Sequence, residues 1–139
     1  MGDGTMAVFT DPATAVRATL AALEAVETVE VEGYTPRMRA GIHTGRPQRI
    51  GSDWLGVDVN VAARVMDRAT RGGLIVSGRT LDQIPAEDLE SLEVSVKRVR
   101  RQVFAPRQQG VPADLVMYRI KTRHDLPGDD EADDVGTEP

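Results

Sequence analysis

The chain has 139 residues, with 17 Lys and Arg against 22 Asp and Glu, 40% apolar residues and no cysteine, which suits one domain of ordinary size with a packed core. The lack of thiols excludes a disulfide framework, a thiolate metal site and a cysteine nucleophile, and agrees with a cytoplasmic home. The net charge of −5 is gathered at one end: residues 125–139 hold seven acids and no Lys or Arg, leaving about +2 on everything before them.

At the front, Met1-Gly2-Asp3-Gly4 has neither the basic region nor the apolar stretch of a signal peptide, and no apolar run is long enough to cross a bilayer. A soluble chain without a membrane segment is the expectation. After a Gly-Asp-Gly turn, residues 5–9 read as a short strand. Asp11-Pro12 then has the form of a helix N-cap and first helical residue, followed by Val16, Leu20, Leu23 and Val26 at near-helical spacing until a stop around Gly33.

Residues 37–43 alternate, with Met38, Ala40 and Ile42 on one face, which predicts a half-buried strand. A second short strand is expected at 48–51, and a loop carrying Asp53 and Trp54 leads to a helix over 58–69 with Val57, Val61, Val65 and Ala69 as its inward stripe. Trp54 is expected to pack beneath that loop. A brief buried strand follows at 74–77, then helical turns at 80–84 and 86–92 separated by Pro85, and final strands at 94–104 and 115–121 joined across Gly110-Val111-Pro112. Strands interleaved with helices and antiparallel returns imply an α+β sandwich, helices packed on a sheet. The Pro-, Gly- and acid-rich tail, residues 122–139, cannot bury enough apolar surface to order itself, so it is expected to be disordered.

Asn60 and Arg64 stand four residues apart on the second helix, so both leave the same face. A guanidinium forks onto phosphate with two parallel hydrogen bonds, and an amide holds a sugar or bridging oxygen. Taken alone, the pair reads equally as a polar, solvated helix face. Lys97, Arg98, Arg100, Arg101 and Arg107 form a cationic stretch, but it has no interleaved aromatics and the chain is acidic overall, so no nucleic-acid partner is expected. Asp3 between two glycines reads as turn chemistry or as a ligand.

The string Asp53-Trp54-Leu55-Gly56-Val57-Asp58-Val59-Asn60-Val61-Ala62-Ala63-Arg64-Val65-Met66 resembles the segment of class III nucleotidyl cyclases that runs from the base-selecting residue to the transition-state Asn and Arg. Arg39-Ala40-Gly41-Ile42-His43-Thr44-Gly45 and Gly2-Asp3-Gly4-Thr5-Met6-Ala7-Val8-Phe9 extend the likeness over most of residues 2–121. The resemblance implies an N-terminally truncated catalytic domain over residues 1–121, adenylyl type, with a ferredoxin-like α/β sandwich lacking its first strand and helices. It further implies an adenylate cyclase, a phosphorus-oxygen lyase acting in cyclic-nucleotide signalling, that turns ATP into 3′,5′-cyclic AMP and pyrophosphate.

By the same resemblance, Asp3 matches one of two metal-binding aspartates for Mg2+ or Mn2+. Asp53 matches the adenine reader, because a carboxylate accepts a hydrogen bond from the exocyclic amine of adenine but faces an acceptor on guanine. Asn60 matches the residue that orients the ribose, and Arg64 the one that meets charge developing on the α-phosphate. Arg107, near Gly110, is the candidate for a phosphate contact that the family usually gives to a lysine. Sites in this family form between two subunits, so a homodimer is implied in which Asp3 of one chain faces Asp53, Asn60 and Arg64 of the other. His43 is expected near the site but not as a base. The first metal aspartate and an adenine-contacting lysine have no match here, so this chain alone is expected to be inactive. The alternative is a non-catalytic, cyclase-like module for nucleotide binding or dimerisation.

Overall fold

A computed structural model describes residues 4–100 and 115–123. Its first helix, α1 (Pro12–Glu27), starts where Asp11 caps it: the Asp11 carboxylate accepts from the Thr14 backbone N–H at 3.0 Å and from the Thr14 hydroxyl at 2.6 Å. The helix ends at Glu27, six residues before the expected Gly33. The β-branched run Thr28, Val29, Val31 disfavours helix, and Glu32 and Gly33, both at positive φ, form a tight turn that pairs Val31 with Tyr34.

Strand β1 (Arg39–Ile42) is followed by a separate hairpin, β2 (Gln48–Ile50) and β3 (Asp53–Leu55), and then by α2 (Val57–Asp67). β4 (Gly73–Ser77) leads through the short helices α3 (Gly78–Asp82) and α4 (Ala86–Leu92) to β5 (Val94–Arg98) and β6 (Met117–Thr122). The main sheet runs β1-β4-β6-β5, with β1 and β4 parallel and the other neighbours antiparallel. The architecture is a mixed sheet between helical layers, as an α+β chain requires.

Strand alternation divides the core in two. Leu74 and Val76 of β4 turn to one face, where with Ile120 and Val94 they meet Ala13 and Val16 of α1 and Ile84, flanked by Leu20, Leu23, Leu81, Leu89 and Leu92. Ile75 turns to the other face, against Val61, Val65 and Ala69. Leu74, Ile75, Val76, Val65 and Ala69 are fully buried; at about 25 cal/mol per Å2 of apolar surface, burial of Val61, Val65, Ala69 and Ile75 seats α2 on one face of the sheet, and burial of Leu74 and Val76 seats α1 on the other.

Glycine lets α2 lie close to β1. A Cβ on Gly41 would meet the backbone and Cβ of Met66, and one on Gly45 would meet the Asp58 carboxylate. Along this contact Arg39 lies near Asp67, Gly41 against Met66 and His43 against Asp58, so helix and strand run in opposite directions.

Several expectations are corrected. Residues 5–9 form no strand: residues 4–9 have no regular structure and Met6, Val8 and Phe9 are exposed, because no strand among the described residues offers this segment a ladder. Asp53 lies in β3 and not in a loop, since Gly51 at positive φ closes a tight hairpin that pairs Ile50 with Asp53. Val57 is 54% exposed and leaves the inward stripe; in helical phase it belongs with Asn60 and Arg64, and the inward place in the first turn goes to Asp58. β5 ends at Arg98, with Val99 donating to the Met117 carbonyl, and residues 101–104 of the expected 94–104 strand lie outside the described residues. So do Asp3, Arg107 and residues 124–139 of the acidic tail, while β6 runs to Thr122, past the expected end at 121.

Candidate functional site

Three of the residues singled out by sequence sit on consecutive elements. Asn60 and Arg64 are on the exposed stripe of α2 that Val57 begins and Asp67 continues, beside the buried Val61 and Val65. Asp53 is exposed on β3, which leads through Gly56 into α2 and packs on it. In the hairpin, paired residues share a face. Gln48, Ile50, Asp53 and Leu55 therefore form one face, with Ile50 and Leu55 at least half exposed, while Arg49 and Trp54 form the other. The Arg49 guanidinium carbon lies 5.9 Å from the centre of the Trp54 ring, at the outer limit of a cation–π contact. Trp54 is half-buried, so its packing is shared between the hairpin and Arg49.

Arg64 is engaged. Its Nη1 donates to Asp67 Oδ2 at 2.9 Å, with both side chains more than two-fifths exposed. Such a pair is worth less than about 1 kcal/mol, so an incoming phosphate competes with it at little cost. Asp53, Asn60 and Arg64 are all exposed. A groove of about 800 Å3 lies elsewhere, between α4 and β5, and is lined by residues that include Leu89, Glu90, Val94, Val96 and Arg123. Among the described residues no group of three or more His, Asp or Glu side chains is placed to hold a metal ion.

Sequence reading missed the most elaborate polar arrangement in the chain, at the start of α2. His43, one residue beyond β1, has a side chain only 6% exposed. Its Nε2 is 3.1 Å from Asp58 Oδ1 and its Nδ1 is 2.8 Å from Ser77 Oγ. The second Asp58 oxygen accepts from the Arg46 backbone N–H at 2.9 Å. Behind Ser77, Thr80 Oγ1 lies 3.1 Å from Ser77 Oγ and 2.9 Å from Thr44 Oγ1. The sequence leads one to expect His43 within a strand near the site; it stands one residue past β1, against Asp58 in the first turn of α2.

Burial holds the His43 imidazole below its ordinary range, although the Asp58 carboxylate pulls the other way. The Arg46 N–H, helped by His43, holds the Asp58 carboxyl below its own ordinary range against a smaller effect of burial. A signal for this cluster was present in the sequence. Asp58 is in helical phase with Val61 and Val65, and an acid on an inward stripe needs a partner.

No family model matches the chain. It is 30% identical over 122 residues to a pH-sensitive adenylate cyclase of Mycobacterium tuberculosis (strain CDC 1551 / Oshkosh), an alignment that covers 87% of this chain and 28% of that protein. The chain thus resembles an adenylate cyclase over most of its length and spans little more than a quarter of that relative. No helix among the described residues is long and apolar enough to cross a membrane.

Proposed function

We propose that this chain is the base-reading and transition-state part of a class III adenylyl cyclase catalytic domain, which binds ATP and takes part in its conversion to 3′,5′-cyclic AMP and pyrophosphate. The observation that carries the reading is the solvent-facing stripe of α2 bearing Asn60 and Arg64, next to the hairpin that presents Asp53. The similarity to an adenylate cyclase supports it independently.

In this reading Asp53 accepts a hydrogen bond from the adenine amine and disfavours guanine, where two acceptors would face each other. Asn60 orients the ribose through its side-chain amide. Arg64 turns from Asp67 to the α-phosphate and places fixed positive charge where the 3′-hydroxyl attacks and pyrophosphate departs. Among the described residues there is no group placed to hold a metal ion, so Mg2+ or Mn2+ would be held by Asp3, which lies outside them, together with a further carboxylate, and would supply positive charge to the phosphates.

A second copy completes the site. Ile50 and Leu55 flank Asp53 on one face of the hairpin and Val57 begins the stripe of Asn60 and Arg64, all of them exposed, and exposed apolar side chains gathered beside polar ones suit a subunit boundary.

Titration of the chain with ATP and with GTP tests the reading, with Arg64→Ala and Asp53→Ala as variants. ATP is expected to bind more tightly than GTP, Arg64→Ala to weaken both, and Asp53→Ala to abolish the preference. In an assay of cyclic AMP formation by the longer protein, Arg64→Ala should lose about 100-fold or more. Equal affinity for both nucleotides, unchanged by Arg64→Ala, would overturn this reading and leave the non-catalytic, cyclase-like module for nucleotide binding or dimerisation.

A further inference from the structure

The apolar contact beneath α2 sets Val61, Val65 and Ala69 against Ile75, with Val99, Leu115 and Met117 packed alongside. Apolar burial holds the helix down, but it is non-directional. Hydrogen bonds are directional and fix where the helix sits. The side-chain hydrogen bonds that tie the first turn of α2 to the main sheet run through His43, to Asp58 on one side and Ser77 on the other.

We infer that His43 is a positioning residue: with Asp58 and Ser77 it clamps the first turn of α2 to the C-terminal ends of β1 and β4, and so sets where Asn60 and Arg64 stand. Its functional consequence rests on the nucleotide reading above; the clamp itself does not.

The protons along this cluster have one consistent order. Ionised Asp58 only accepts, so His43 Nε2 donates to it and Nδ1 is left to accept from the Ser77 hydroxyl. Ser77 Oγ then accepts from Thr80, and Thr80 from Thr44. Every member has a partner, and no buried side-chain polar atom among the described residues lacks one. A proton added at Nδ1 turns that atom into a donor. Ser77 must then reverse, and the reversal passes to Thr80, whose outlet is the Ile42 carbonyl at 3.5 Å, the longest contact of the set. The charged groups facing His43 are Asp58 on α2, which favours the proton, and Arg79 on α3, which opposes it; Ser77 and Thr80 are neutral. Acid therefore loosens the clamp from the sheet side while strengthening the pull of Asp58.

Backbone amide and histidine ring signals of the full chain, followed by nuclear magnetic resonance as pH is lowered from neutral, provide the test. The amides of Val59, Asn60 and Arg64 are expected to shift with the midpoint of the His43 ring. His43→Ala should weaken ATP binding about tenfold or more. His43→Gln, which keeps a donor for Asp58 but cannot titrate, should restore binding and remove its pH dependence. Amides in α2 that stay still while His43 titrates overturn the inference, a measurement that needs no variant to fold. So does a His43→Gln chain that titrates as the parent does. Coupled titration in a chain that binds no ATP at any pH would sink the nucleotide reading alone.

Discussion

Arg64 and Asp67 are joined three residues apart on the exposed side of α2, Nη1 to Oδ2 at 2.9 Å, while the other oxygen of Asp67 is 4.0 Å from Arg39. The guanidinium proposed to meet a phosphate is thus parked on a carboxylate that two cations share. Asp67→Asn keeps the shape and removes the charge. Stability should change by no more than about 0.5 kcal/mol, as exposed pairs do, and ATP affinity should rise. Urea unfolding and nucleotide titration on the same variant check both, and a fall in affinity would mean that Arg64 needs Asp67 to be placed.

Exposed site residues should be dispensable for folding. Asn60→Ala, Arg64→Ala and Asp53→Ala are each expected within about 0.5 kcal/mol of the parent. Ile75→Ala, beneath α2, should cost about 2–5 kcal/mol through lost burial and a cavity. If the three surface variants unfolded as readily as Ile75→Ala, any loss of nucleotide binding in them would report folding and not contact.

The close approach of α2 to β1 gives a third expectation. Gly41→Ala sets a methyl group against the backbone of Met66, which cannot step aside without moving the helix, and should cost about 1–3 kcal/mol. At Gly45 the obstacle is the Asp58 carboxylate, a side chain that can yield. Gly45→Ala should therefore cost less in thermal unfolding yet disturb the His43 ring signals more. The reverse ranking would show that the carboxylate is the more rigid neighbour.

Acid should weaken the fold in two stages. Burial lowers the His43 pKa from its usual 6.5, so as pH falls the unfolded chain takes up that proton first. Stability is then full above about pH 6.5 and declines below it until the folded imidazole protonates too. Asp58, held below its usual 3.8, contributes stability above 3.8 that is lost as pH falls through its folded value. His43→Gln should erase the first stage and leave the second. Urea midpoints across this range decide the matter. A midpoint rising between neutral pH and about pH 6 would mean that the Asp58 attraction outweighs burial.

Much of the fold was legible because it rests on local rules. Asp11-Pro12 announced its helix, residues 86–92 were placed to the residue as α4, and the alternation around Ala40 and Ile42 marked β1. What was not legible depended on partners distant in sequence. Residues 5–9 have strand-like composition but no ladder to join, and Val57 looks apolar and inward until the first turn is seen to be anchored by Asp58. The Asn60 and Arg64 pair was readable from spacing and resemblance. Of the His43 cluster only the inward-facing Asp58 was readable, because it is the parallel register of β1 and β4 that brings residue 43 beside residue 77.

The β2–β3 ribbon is a two-stranded sheet of its own, hydrogen-bonded to no strand of the main sheet. Ribbons of that size contribute little to the cooperativity of a domain, so Asp53 is mounted on a part whose redesign leaves the rest of the molecule intact. On the proposed reading, purine preference is open to revision by one or two substitutions at the ribbon, and a lineage exploring new nucleotides would make the change there without endangering the scaffold.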